Sequence, residues 1–119
     1  KIVGGSFIAD ELPTGYDLVS LVRVMHDHDD DRVLDLLRRV RRCMEPGATL
    51  LIAEPMSIGS ETAKVADVYF AFYLLAMGSG RARTLAETSR LLRLSGFGDA
   101  VLVRSLRPLL VSIVTAKAQ

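Results

Sequence analysis

The sequence predicts an α/β fold, with parallel strands covered by helices on both faces and an antiparallel hairpin at the end. Three observations predict it. Apolar runs of strand length at 16–22 and 48–54 alternate with a helix-period segment at 30–44, the signature of parallel strands joined by helices. The first run opens into the polar cluster His26-Asp27-His28-Asp29-Asp30-Asp31 and the second ends on Glu54. The carboxyl ends of strands are where open α/β sheets place their chemistry. Finally, two runs rich in Val, Leu and Ile at 99–105 and 109–116 are separated only by a short connection around Arg107-Pro108. That is too short for a crossover and implies antiparallel neighbours.

The elements follow in order. Residues 1–8 read as the end of a strand and a turn at Gly4-Gly5, and Leu12-Pro13-Thr14-Gly15 as a loop. Residues 16–22 have the near-continuous apolar character of a central strand buried on both faces. In the helix at 30–44, Val33, Leu36, Leu37, Val40 and Met44 share one face. Acids at 29–31 and bases at Arg38, Arg39, Arg41 and Arg42 complement its dipole, and Glu45-Pro46-Gly47 ends it. After the strand at 48–54, residues 62–77 lack Gly and Pro and read as a helix that is apolar on nearly every side. Gly78-Ser79-Gly80 breaks it. Thr84 and Glu87 form a capping box for a helix at 85–95, and Gly96 ends it. The expected order is β-β-α-β-α-α-β-β in a single domain spanning 1–119.

Composition narrows the classes. The chain has 119 residues, half of them hydrophobic, and a formal net charge of +1. It is long enough for a core and too apolar for disorder. The balanced charge gives no global case for nucleic acid or membrane binding. No apolar run reaches the roughly 18–20 residues of a membrane-spanning helix, and no signal-peptide pattern is present. A single cysteine, Cys43, cannot form an internal disulfide, which points to a reducing, cytoplasmic setting. The chain starts on Lys1-Ile2-Val3 and is apolar at once; we read it as a piece of a longer polypeptide.

His26 and Glu54 close two consecutive strands, and adjacent parallel strands lie about 4.8 Å apart. Their side chains can meet over one crevice, where a carboxylate fixes an imidazole's tautomer and makes it a competent general base. The plain alternative is a helix-capping histidine and a solvated glutamate. His26-x-His28 also admits a zinc-hydrolase reading, but such sites need further histidines and the chain has only two. No metal is expected, and Asp29 to Asp31 read better as helix-capping acids. The four arginines read as a solvated helix face rather than a nucleic-acid patch. Tyr69, Phe70, Phe72 and Tyr73 cannot all be buried by one helix, since consecutive residues point about 100° apart. Some of them must face a partner or an apolar cavity edged by Met77. The Gly4-Gly5 and Gly78-Ser79-Gly80 segments read as turns, not phosphate cradles.

The stretch Asp17 to Asp31, with Pro46-Gly47 before a strand ending Ala53-Glu54-Pro55, resembles class I S-adenosylmethionine-dependent O-methyltransferases. The branch is that of plant caffeate-type and bacterial small-molecule enzymes. Its His-Asp-Trp-x-Asp pattern reads here as His26-Asp27-His28-Asp29-Asp30, and the likeness continues through Arg83-Thr84 and Ser95-Gly96-Phe97. The run Phe72 to Arg81, with Glu54-Pro55-Met56, is similar to the carotenoid-modifying subgroup, the hydroxyneurosporene O-methyltransferases. The resemblance implies the C-terminal portion of a Rossmann-like catalytic domain, S-adenosyl-L-methionine as cofactor, and an apolar hydroxylated acceptor such as a hydroxycarotenoid. It implies that His26 deprotonates the acceptor and Glu54 orients the imidazole. Ser6, Phe7 and Arg23 would contact the cofactor. Asp27, Phe72, Tyr73 and Met77 would line the acceptor pocket. A homodimer formed through an upstream helical domain is implied as well, as is loose membrane association if the acceptor is a carotenoid.

Three positions depart from the family pattern. Ser6 replaces an acid, Ala82 replaces a second glutamate, and His28 replaces a tryptophan. The family's glycine-rich cofactor loop and ribose-binding acid belong to earlier strands and have no match in these residues. The isolated chain is therefore expected to bind the cofactor poorly and not to turn over, with 16–22 left as an exposed apolar edge. Two other functions remain open at this point: a non-catalytic binding module of the same fold, and a metal-dependent hydrolase.

Overall fold

The computed structural model describes residues 2–57, 63–104 and 111–119, with backbone alone for 63–67, 69 and 70. Its elements are β1 (Tyr16–Val22), α1 (Asp30–Arg42), β2 (Met44–Glu54), α2 (Ala63–Met77), α3 (Leu85–Leu94), β3 (Val101–Val103) and β4 (Ser112–Lys117). A 3-10 turn, Met25–Asp27, links β1 to α1. The sheet order is β1-β2-β4-β3. β1 and β2 are parallel, in register from Leu18 opposite Thr49 to Val22 opposite Ala53. β4 inserts between β2 and β3 and runs antiparallel to both.

The core forms where the sequence periods coincide. Val33, Leu36, Leu37 and Val40 place the apolar stripe of α1 against Leu50 and Ile52 of β2 and Leu91 and Leu92 of α3. Phe97 and Val114 fill the remaining space, fully buried. α3 starts on the expected capping box: the Thr84 side chain accepts from Glu87 N, and the Glu87 carboxylate accepts from Thr84 N. Gly96, at φ 86°, supplies the left-handed residue that ends it.

Several expectations need correcting. No strand forms within residues 2–8, because no described segment pairs with it, and Ile2 and Val3 stand in solvent. Among the described residues β1 is an edge strand rather than a central one. Leu21 packs inward, but Leu18 is 53 % exposed and Val22 and Tyr16 are likewise open. Met44 does not extend α1; it begins β2, and the register with β1 jumps between Tyr16 and Leu18. Gly47, at φ 85°, lets the chain bulge there, so Glu45-Pro46-Gly47 sits inside the strand's span instead of before it. The closing strands are shorter than expected, and residues 105, 109 and 110 lie outside the described ones. The arginine-rich end of α1 is only partly solvated: the Arg41 guanidinium donates to the carbonyls of Gly96, Met44 and Gln119.

Candidate active site

The chain leaves β1 through Arg23, a non-glycine residue at φ 55°, a left-handed conformation that bulky residues rarely adopt. Its N–H donates to Ala53 O across the parallel pair, 3.0 Å away. The backbone then winds into the 3-10 turn that carries His26. Such a turn exposes unpaired amides at its start and unpaired carbonyls at its end. Two buried charged side chains supply the missing partners.

Glu54, 4 % exposed at the end of β2, supplies the acceptor. Its Oε1 accepts from Val24 N at 3.0 Å and from Met25 N. Burial pushes its carboxyl up to about 7, against the amide donors of Met25 and Val24 and the charge of Arg83. Arg83, 3 % exposed, supplies the donors. Its Nη1 donates to Met25 O at 2.8 Å, and its Nη2 to His28 O at 2.7 Å. Its Nε also donates to Asp30 Oδ1 at 2.9 Å. Arg83 is brought here by an isolated bridge to Met56, with Ser57 N donating to Arg83 O at 3.1 Å.

The glycine-flanked segment after α2 closes on the same turn. Ser79 Oγ donates to Asp27 O at 3.0 Å, and Gly80 N to Asp29 Oδ1 at 3.1 Å. Gly80 has φ 86°, and a Cβ there would collide with His26 O and lie 2.6 Å from the Asp27 carbonyl carbon. Only glycine permits this approach.

His26 is 3 % exposed. Neither imidazole nitrogen has a hydrogen-bond partner, although Nε2 lies 3.2 Å from Asp27 Oδ1. Burial lowers its pKa. Asp27 opposes that shift, while Arg23, Arg83 and His28 reinforce it. The imidazole is therefore neutral at pH 7. The carboxylate of Glu54 meets the backbone that carries His26, not the ring, so the expected direct contact between them is replaced by control of the turn.

The other sequence-selected residues are placed as follows. Tyr73 touches the site, its ring centroid 6.3 Å from that of His26. Phe72, 69 % exposed, and Met77 are open to solvent, as are Val68 and Leu75. The side chains of Tyr69 and Phe70 lie outside the described residues. Phe7 sits over His28, ring centroids 5.9 Å apart. It also lines an apolar cavity of about 400 Å³ between β1 and α1, together with Tyr16, Leu18, Leu36 and Val40. Ser6 Oγ accepts from Ala9 N and Ile8 N in its own turn. The two imidazoles diverge, one towards Phe7 and the other towards Tyr73. Among the described residues no group of three His, Cys, Asp or Glu could hold a metal ion.

Of the acids after His28, expected as helix caps, Asp29 and Asp30 bond the segment after α2 instead. Asp29 is the N-cap residue but makes no side-chain cap. Asp30 accepts from Arg81 and Arg83. Burial alone would raise its carboxyl, but those hydrogen bonds outweigh it and hold the pKa below the usual range. Sequence reasoning missed Arg83 and Gly80 as parts of the site. Their one signal was composition: two arginines and two glycines fall between α2 and the Thr84 cap, opposite an acidic turn.

Comparison with known proteins places this arrangement. Residues 1–98 match the family model of the O-methyltransferase domain. The chain belongs to that family. This O-methyltransferase domain is 42 % identical over 113 residues to demethylspheroidene O-methyltransferase of Rhodobacter capsulatus, covering 95 % of the chain and 29 % of the relative. It is 46 % identical to the enzyme of the same name from Cereibacter sphaeroides, covering 95 % and 30 % respectively. The domain thus spans under a third of the curated relatives it matches. Its fold superposes on mitomycin 7-O-methyltransferase MmcR with a TM-score of 0.88 at 28 % identity, covering all of this chain and 34 % of that one. It superposes on human N-acetylserotonin methyltransferase in complex with SAM at 0.80 and 26 %, covering 96 % and 32 %. The sheet is accordingly part of an O-methyltransferase fold, of the α/β class the sequence predicts.

Proposed function

We propose that this chain is the C-terminal part of a protein that methylates a hydroxyl of an apolar small molecule, a hydroxycarotenoid, with His26 as general base. The observation that carries this reading is a neutral, buried imidazole on a turn pinned at both ends, at the carboxyl ends of two adjacent parallel strands. The acceptor class rests on the two relatives named demethylspheroidene O-methyltransferase.

S-adenosylmethionine fits the residues present at one rim. Phe7 offers a half-exposed aromatic face beside an apolar cavity, and Arg23 turns out of β1 at the strand end. Ser6 lies in the adjoining turn. Bound there, the cofactor supplies an electrophilic methyl group. His26 would take the acceptor's hydroxyl proton on an imidazole nitrogen as the alcohol oxygen replaces sulfur on the methyl carbon, the cofactor leaving as a neutral thioether, and positioning would provide most of the rate. Glu54 holds the turn, while Asp27, Tyr73, Phe72 and Met77 form the acceptor side. The homodimer, cytoplasmic location and upstream helical domain belong to the same proposal.

One observation favours a second reading, the non-catalytic module. His26 is 3 % exposed, with the Tyr73 ring close by, so an acceptor reaches it only if the surrounding packing opens. Assay of the full-length protein with labelled S-adenosylmethionine decides between the two. The proposal expects a labelled methyl ether from a hydroxycarotenoid. Failure to label any apolar alcohol, despite measurable cofactor binding, would favour the module.

A further inference from the structure

The imidazole of His26 has no hydrogen-bond partner on either nitrogen. The Asp27 carboxylate, 3.2 Å from Nε2, sits on the same turn, so the direction of the ring is inherited from the peptide frame of that turn and from packing. The frame is held from two sides. Glu54 takes the amides of residues 24 and 25. The Arg83 guanidinium takes the carbonyls of Met25, just before His26, and His28, two residues after it. The same guanidinium is anchored by Asp30, with Nε and Nη2 both on Oδ1, at 2.9 and 2.7 Å.

We propose that Arg83 is a positioning residue for the base: it holds the peptide just before His26 and the one that follows His28, and so aims the imidazole between them. This role rests on the methyl-transfer reading above. A planar fork suits the task, since several N–H groups in fixed directions reach two carbonyls and a carboxylate together. A lysine ammonium, a single point donor, does not reproduce that geometry. The positive charge has a separate effect, because Arg83 is one of the groups that hold the imidazole neutral, with Arg23 and His28, against Asp27. Glu54, on the other side of the turn, also feels it.

Charge and geometry separate in the test. The full-length wild type, Arg83→Lys, Arg83→Met and Asp30→Asn are assayed for methyl transfer across pH, with cofactor binding and melting temperature measured alongside. Arg83→Lys is expected to lose about 100-fold in kcat, the scale of a misplacement near 1 Å. Its KM for the cofactor and the acid limb of its pH profile should stay near wild type. Arg83→Met is expected to lose kcat similarly and to move the acid limb to higher pH, because a charge that lowers the His26 pKa is gone. Asp30→Asn leaves Arg83 in place without its anchor. It is expected to lose roughly tenfold in kcat, and it carries the test if the Arg83 variants do not fold. Wild-type kcat and pH profile in folded Arg83→Lys and Arg83→Met, or wild-type kcat in Asp30→Asn, would overturn the role of Arg83 while leaving methyl transfer intact. An inactive wild type would overturn the functional reading and this role with it.

Discussion

At the scale of single residues, His26 is defined by what surrounds it rather than by what it bonds. Burial lowers its pKa below 6.5, and the Asp27 carboxylate opposes that shift. Removing that carboxylate lowers it further. In the full-length protein the acid limb of kcat/KM for Asp27→Asn is therefore expected to move to lower pH, whereas a limb that stays put would assign the titration elsewhere. Gly80→Ala is expected to cost at least 10-fold in activity, since its Cβ would force the His26–Asp27 backbone to move; unchanged activity would show that the loop yields instead. His26 and Glu54 were legible in the sequence because each follows a strand-length apolar run at its carboxyl end. Arg83 and Gly80 were not, because a side chain that bonds backbone carbonyls leaves no periodic trace. The approach of residue 80 to residue 26 is likewise set by how α2 returns to the sheet.

Among the elements, α3 carries the clearest local code. Hydrogen bonds from Thr84 N, Arg81 and the Thr84 hydroxyl hold the Glu87 carboxyl down to about 2 from 4.5. A depressed acid stabilises the fold above its unfolded pKa. Its contribution should be complete above about pH 4.5 and fade as pH falls towards 2. Thr84→Ala removes the cap and is expected to cost about 1 kcal/mol by denaturant melting; a loss near zero would mean that the helix is held by packing alone. Leu37→Ala in α1 should cost about 2–5 kcal/mol, as it opens a cavity in the centre of the core. The sequence periods showed both helices and their buried faces. They misplaced Met44 because a bulge at Gly47, which depends on pairing with β1, starts β2 earlier than composition suggests.

In the molecule as a whole, the order of strands was only partly visible. Apolar runs identify strands but not their neighbours. The placement of β4 between β2 and β3 follows from antiparallel pairing along Thr49–Glu54, which no local motif announces. β1 reads as a central strand of a larger sheet that this chain alone leaves as an exposed edge; among the described residues its outer edge is unpaired and Leu18 is 53 % exposed. Such an edge invites association with another chain. The isolated 119 residues are expected to self-associate and to bind S-adenosylmethionine weakly, with no turnover. Leu18→Lys should reduce that association in sedimentation velocity, and tight calorimetric binding by the isolated chain would contradict the account. Among the described residues no helix is long and apolar enough to cross a membrane, and α2 exposes Val68, Phe72, Leu75 and Met77.

The central claim is that one neutral imidazole removes the proton from the acceptor alcohol. The most direct measurement is single-turnover methyl transfer by full-length His26→Gln, with S-adenosylmethionine binding followed by calorimetry on the same sample. The account predicts wild-type cofactor affinity and a loss of at least 100-fold in the chemical step, the lower range of general-base contributions. Undiminished transfer by a folded His26→Gln protein would contradict it.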